Sequence, residues 1–294
     1  MRKLIVSCGR VVSLECAFGT LMMVLLSSSS FTAQTAPPAA PPKQAPATPK
    51  QSPAAPKQAP AANAKTAEQA DLPSAQSIID RHIKAIGGRG AILTHKSTHA
   101  VGTISMPATG ITGPMDVYGA APNKSFVKIS LGGVGDIVEG FDGTYGWTLQ
   151  PMLGPMLKQG KELAEKKFDS EYYSDLYQAE RYASMKTIEK ADFDGRPCYK
   201  VSLARKDGGE DIEYYDANTG LRAGTIQTRE SPMGSFTATQ VITEYKNFSG
   251  LLIPTTVKLT TMNVEQVIKI TSVEFDNVPP STFDLPAQIK ALIK

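Results

Sequence analysis

Two histidines four residues apart, His95 and His99, are the first pair in this 294-residue chain whose spacing could do chemistry. On one helix face such a pair can ligate a divalent metal. The segment from Thr94 to Met106 reads instead as the start of a strand, the remaining histidine is His82, and no His-Glu-x-x-His occurs. Packed or solvated imidazoles are the expectation. Cys198 follows Pro197 inside an alternating pattern and has no base beside it in sequence, so a packed thiol is expected rather than a nucleophile. Leu131 to Asp136 is glycine-rich but lacks the Lys-Ser/Thr of a phosphate loop, and reads as a turn. Asp192, Asp194, Asp207, Glu210 and Asp211 surround Gly195 and Gly208-Gly209 without calcium-loop spacing, and read as solvated turn carboxylates. These residues predict no catalytic set, no metal and no cofactor.

What the chain does supply is apolar surface. Glu139 to Pro151 reads as a hairpin, with Asp142-Gly143 as a two-residue turn and Phe141, Tyr145 and Trp147 on its arms. The run that follows, Met152, Leu153, Gly154, Pro155, Met156 and Leu157, is too irregular for a strand and too apolar for an ordinary loop. It reads as an oily lid, and methionine's unbranched thioether suits an irregular apolar partner. In Ile111 to Gly119, Ile111, Met115 and Val117 share one strand face. Val127, Ile129 and Leu131 do so in the next strand.

A helix is expected over Ser74 to Ile86, with Ser74 as its cap, Ile78, Ile79, Ile83 and Ile86 on one face and Gly87-Gly88 as its stop. Helical character returns from Gln159 to Tyr182, where Leu163, Phe168, Tyr172, Tyr173, Leu176 and Tyr177 make an amphipathic stripe with Asp169 or Ser170 as start signal. About eleven strands joined by short Gly, Asn and Asp turns fill the rest, with no helices interposed as a parallel sheet would need. The predicted fold is mainly β with α: a large curved antiparallel sheet, an unclosed half-barrel with an N-terminal helix and a helical lid insertion. Its expected ligand-binding residues are Met115, Val117, Val127, Ile129, Leu131, Phe141, Trp147, Met152, Leu153, Met156, Leu157, Leu163, Tyr172 and Leu176.

Ahead of this domain, Arg2, Lys3 and Arg10 precede an apolar stretch from Ala17 to Leu26 and small residues near Ala33 and Ala36. That is the pattern of a signal peptide over residues 1–36, too short in its apolar part to span a bilayer. Pro, Ala, Lys, Gln, Ser and Thr dominate residues 37–70, a composition that predicts a disordered linker. The leader holds three bases and one acid and the linker four lysines and Glu68, so of 31 bases and 28 acids the remainder keeps 24 and 26. A mildly acidic domain argues against nucleic acid as a partner. Cleavage would leave Cys198 alone, so no intrachain disulfide supports the domain over residues 71–294.

Four stretches carry a family resemblance: Ser77 to Gly88, the hairpin from Glu139 to Pro151, Tyr215 to Leu221, and Tyr245 to Pro254. Together they resemble the bacterial outer-membrane lipoprotein-sorting proteins of the periplasmic lipoprotein carrier superfamily. The resemblance covers about Ser74 to Leu292 and contains no catalytic signature. It implies an unclosed half-barrel with helices as a lid over a cavity for acyl chains, in a protein exported to the periplasm. Lipid or lipoprotein acyl chains are the expected partners, with envelope membrane proteins beside them. Similar domains accompany secreted zinc peptidases, which implies the alternative of a non-catalytic sensor or interaction domain.

Overall fold

The computed structural model describes residues 72–231 and 234–293. The signal peptide and the linker expected from the sequence lie outside the described residues. Strands dominate: β1 (Ser97–Met106), β2 (Ile111–Ala120), β3 (Lys124–Leu131), β4 (Gly135–Phe141), β5 (Gly146–Gln150), β6 (Gly154–Leu157), β7 (Tyr182–Phe193), β8 (Arg196–Arg205), β9 (Glu210–Asp216), β10 (Arg222–Ser231), β11 (Gly234–Phe248), β12 (Leu251–Thr261) and β13 (Val264–Phe275). All thirteen belong to one antiparallel sheet, in the order β6-β5-β4-β3-β2-β1-β13-β12-β11-β10-β9-β8-β7. The sheet is therefore two meanders joined where β1 pairs with β13, and it does not close into a barrel.

Thirteen strands exceed the expected eleven, and one of the extra strands overturns a prediction. Gly154–Leu157 is not a lid but the end strand β6, paired with β5 in the register Trp147 to Leu157 and Thr148 to Met156. Pro155 is compatible with a strand here because an end strand leaves one row of backbone groups unpaired in any case. The preceding turn is also larger than expected. Asp142 closes a four-residue loop, its Oδ1 accepting from the backbone of Thr144 and Tyr145 at 2.7 Å each, so the two-residue turn is not formed.

Helix α1 spans Ala75–Ala85, and Ser74 caps it by accepting from Ser77 N at 3.2 Å. Gly87, at φ 127°, ends it, and a Cβ there would stand 2.6 Å from Gly250 O. Only glycine satisfies both the dihedral and the approach. A second helix the sequence reading did not anticipate, α2 (Gly88–Thr94), follows directly. The insertion between β6 and β7 forms α3 (Gly160–Asp169), a 3-10 turn (Ser174–Tyr177) and α4 (Gln178–Arg181). Asp169 thus ends a helix rather than starting one.

The helices define an inner face of the sheet. Ile78 and Ile79 of α1 pack with Tyr182, Val201, Leu203 and Tyr215, while Ile86 and Ile92 cluster with Tyr172, Tyr173, Leu176 and Leu251. On the other side the C-terminal segment, with a 3-10 turn (Pro280–Phe283) and α5 (Ala287–Lys290), packs over β3 and β6. Phe283 and Ile289 are buried there.

Candidate functional site

Alternation along seven adjacent strands, from β4 through β1 and β13 to β11, aims one set of apolar side chains inward. Sixteen of them form a single buried cluster running from Ile137 on β4 to Phe236 on β11. Every member is a strand residue, and no described helix contributes to it. Five of the expected binding residues, Met115, Val117, Val127, Ile129 and Leu131, belong to this floor. Phe141 is buried at the inner end of β4, in register with Ser125.

Above the floor, charged groups hold the helical insertion to both halves of the sheet. Lys166 of α3 donates to Glu139 of β4 at 2.6 Å, and Lys158 lies 3.4 Å from the same carboxylate. Leu163 packs over Gly146 of β5. Toward the other end, Glu165 faces Arg205 at 3.6 Å, Asp169 faces Arg229 at 3.5 Å, and Asp175 of the 3-10 turn faces Arg222 at 3.5 Å. The arginines are matched from the sheet as well, Arg229 by Asp211 at 3.0 Å and Arg222 by Glu213 at 3.2 Å. Burial works against the charge on Arg229, but the Asp169 and Asp211 carboxylates outweigh it and hold the guanidinium above its ordinary pKa. Hydroxyls complete the contacts of the insertion: Tyr172 with Thr98 at 2.7 Å and Ser170 with Ser125 at 2.8 Å.

Sequence reasoning missed this charged layer and misread Asp211, which is not a solvated turn carboxylate but fully buried, accepting from Tyr182 Oη at 3.0 Å. The available signal was the alternation Asp211, Glu213, Tyr215 against Ile212 and Tyr214. The expectation that apolar residues point inward assigns that strand the wrong way round.

Several expected site residues lie elsewhere. Trp147 does not face the interior. It pairs with Gly140, its ring meets Phe126 at 6.0 Å, and Phe126 in turn meets Tyr118, which stacks on His99, so a row of aromatic groups crosses the outer face. The C-terminal segment touches β3 and β6, the strands that flank β4 and β5 on this sheet, and Trp147 is buried. Met152 and Leu153 stand on an exposed turn, 59% and 48% accessible. Met156 and Leu157 are half-buried on β6, Met156 on the inner side with Thr148 and Leu157 on the outer side with Trp147. Tyr172 and Leu176 join the separate cluster around Ile86, Ile92 and Leu251.

The residues first considered for chemistry do not converge. His95 Nδ1 meets Asp276 at 2.7 Å and stacks on Phe275, whereas His99 Nε2 meets Asp116 at 2.8 Å. Cys198 is buried on the outer face with Tyr214 and Ala223, and burial pushes its thiol up to about 11. Such a thiol is protonated and a poor nucleophile.

No family model and no curated protein matches this chain. Among solved structures it is similar to a LolA superfamily protein from Nitrosomonas europaea, at 14% identity over 73% of this chain and 99% of that one, with TM-score 0.49. It is also similar to a DUF1329 family protein from Desulfovibrio piger, at 13% identity over 71% and 97% of the two chains, TM-score 0.49. A domain assigned to outer membrane lipoprotein sorting in Vibrio parahaemolyticus gives 11% identity over 71% and 95%, with TM-score 0.46.

Proposed function

We propose that this chain is a periplasmic binding protein that carries lipid or lipoprotein acyl chains inside its half-barrel, and that it acts by binding and not by catalysis. The observation that supports this reading is the apolar floor built by strands alone. Where α1 and α2 lie on the sheet, their side chains share clusters with it. Over the floor no described helix does so, which is the arrangement by which curved sheets enclose an apolar guest. The insertion, tied to both halves of the sheet by ion pairs, stands where a guest would enter and leave.

Calorimetric titration of the delipidated full chain with single-chain amphiphiles of one head group, from octyl to octadecyl and below micelle formation, tests it. Each added methylene should contribute about 0.8 kcal/mol, roughly a fourfold gain in affinity, until the floor is covered. Absence of saturable binding at every chain length would end the carrier reading.

A further inference from the structure

The inner face is not apolar throughout, and its polar groups fall into two kinds. The charged ones are matched: Arg229 by Asp211 and Asp169, Arg222 by Glu213 and Asp175, Lys166 by Glu139. A neutral set is not. One register row across β9 to β13 reads Glu213, Thr225, Gln240, Leu259, Gln266. Leu259 is a member of the apolar floor, so its row neighbours, on the same side of the sheet, face the interior with it.

Within that row Thr225 is 0% exposed and Gln266 1%, yet Thr225 Oγ1 and Gln266 Oε1 have no hydrogen-bond partner among the described residues. A buried polar atom left unpaired costs about 1 to 3 kcal/mol, so two in one row at the border of an apolar surface call for a partner. Thr225 and Gln266 are three strands apart, about 14 Å along the sheet and less across its concavity. Gln240 lies buried between them.

Resting on the apolar-guest reading above, we infer that the guest is an uncharged amphiphile whose head carries several hydroxyl or amide groups, bonded by Thr225 and Gln266 while its chain lies on the strand-built floor. Gln266 Oε1 is an acceptor, so the head must supply an O–H or N–H; an ionised carboxylate has none to give. An anionic head would have to compete with Asp211, Glu213 or Glu139 for cations already engaged. A cationic head would meet carboxylates that are likewise engaged. A glycerol or sugar head on one long chain has the required chemistry.

The test compares four ligands of equal chain length against the delipidated full chain, below micelle formation: an alkyl glucoside, a monoacylglycerol, a fatty acid anion and an alkyltrimethylammonium. The two hydroxylated ligands should bind about ten- to thirtyfold more tightly than either ion, the gain expected of two hydrogen bonds at roughly 1 kcal/mol each. Gln266→Leu and Thr225→Val keep side-chain volume, and each should reduce the glucoside's advantage while leaving the fatty acid's affinity in place. If the ions bind as tightly as the glucoside, or both variants keep the preference, the head-group inference is wrong although the carrier reading stands. If none of the four binds, the carrier reading falls and this inference with it.

Discussion

Acid should destabilise this chain through one imidazole. His82 is buried on α1 with its ring 5.3 Å from that of Tyr215, and its pKa is lowered from 6.5 to about 4. Desolvation is the main cause and the Arg222 charge adds to it, while Asp175 and a backbone hydrogen bond with Gly220 oppose. Above the ordinary value the ring is neutral in both the folded and the unfolded chain and gives no pH dependence. Below it, the unfolded chain takes up a proton that the folded chain refuses, so stability is lost as pH falls from 6.5 toward 4. At about 1.4 kcal/mol per pH unit the loss is about 2 kcal/mol by about pH 5 and about 3 kcal/mol by the folded pKa. Urea unfolding of wild type and His82→Gln isolates it, because carboxylates that titrate in the same window are common to both. The stability difference between the two proteins should move in favour of the variant by about 2 kcal/mol between about pH 7.5 and about pH 5. A difference that stays constant across that range would refute the assignment of a proton-refusing site to His82.

Arg229→Met leaves Asp211 buried without its main partner and should cost about 3 to 5 kcal/mol in urea unfolding, with part of the loss recovered by Asp211→Asn in the same chain; a cost below about 1 kcal/mol would show that the pair is hydrated. Gly140→Ala places a Cβ 2.5 Å from the Trp147 ring, and the resulting overpacking should cost about 1 to 3 kcal/mol. Deleting residues 280–294 should shift Trp147 emission to the red by uncovering the outer face, while a guest bound inside should leave that emission unchanged; a large guest-induced shift would place the ring or the guest differently from the geometry described above.

The apolar floor was legible in the sequence because Met115, Val117, Val127, Ile129 and Leu131 alternate with polar or charged residues, and period two fixes a shared face. The same rule failed at Trp147. Its segment is buried on both faces, and nothing local in the sequence says that the outer face is covered as well as the inner one. The rule also inverted at β9, where Asp211 and Glu213 point inward because Arg222 and Arg229 meet them from the neighbouring strand. That pairing depends on register between strands, which composition along one strand does not encode. The lid prediction failed for a third reason. Gly154 and Pro155 break strands in general, but at the end of a sheet the breaking rule loses its force.

Placing charge inside has a structural logic that apolar packing would not serve. The ends of the sheet, β6 and β7, are not hydrogen-bonded to each other, so the insertion between them must fix the width of the opening. Buried ion pairs add little net stability compared with well-packed apolar groups, but they are strict about geometry, because a displaced partner strands a charge in a poor solvent. Lys166 on Glu139 at one side and Asp169 and Asp175 on Arg229 and Arg222 at the other therefore set the position of α3 and the 3-10 turn more than they add to the depth of the fold. They also separate the interior by chemistry. The cations and carboxylates consume one another near the insertion, and what is left facing the floor is either hydrocarbon or neutral and hydrogen-bonding. On the carrier reading proposed above, a guest would be selected by chain length and by the hydroxyl or amide content of its head, while its charge would count against it.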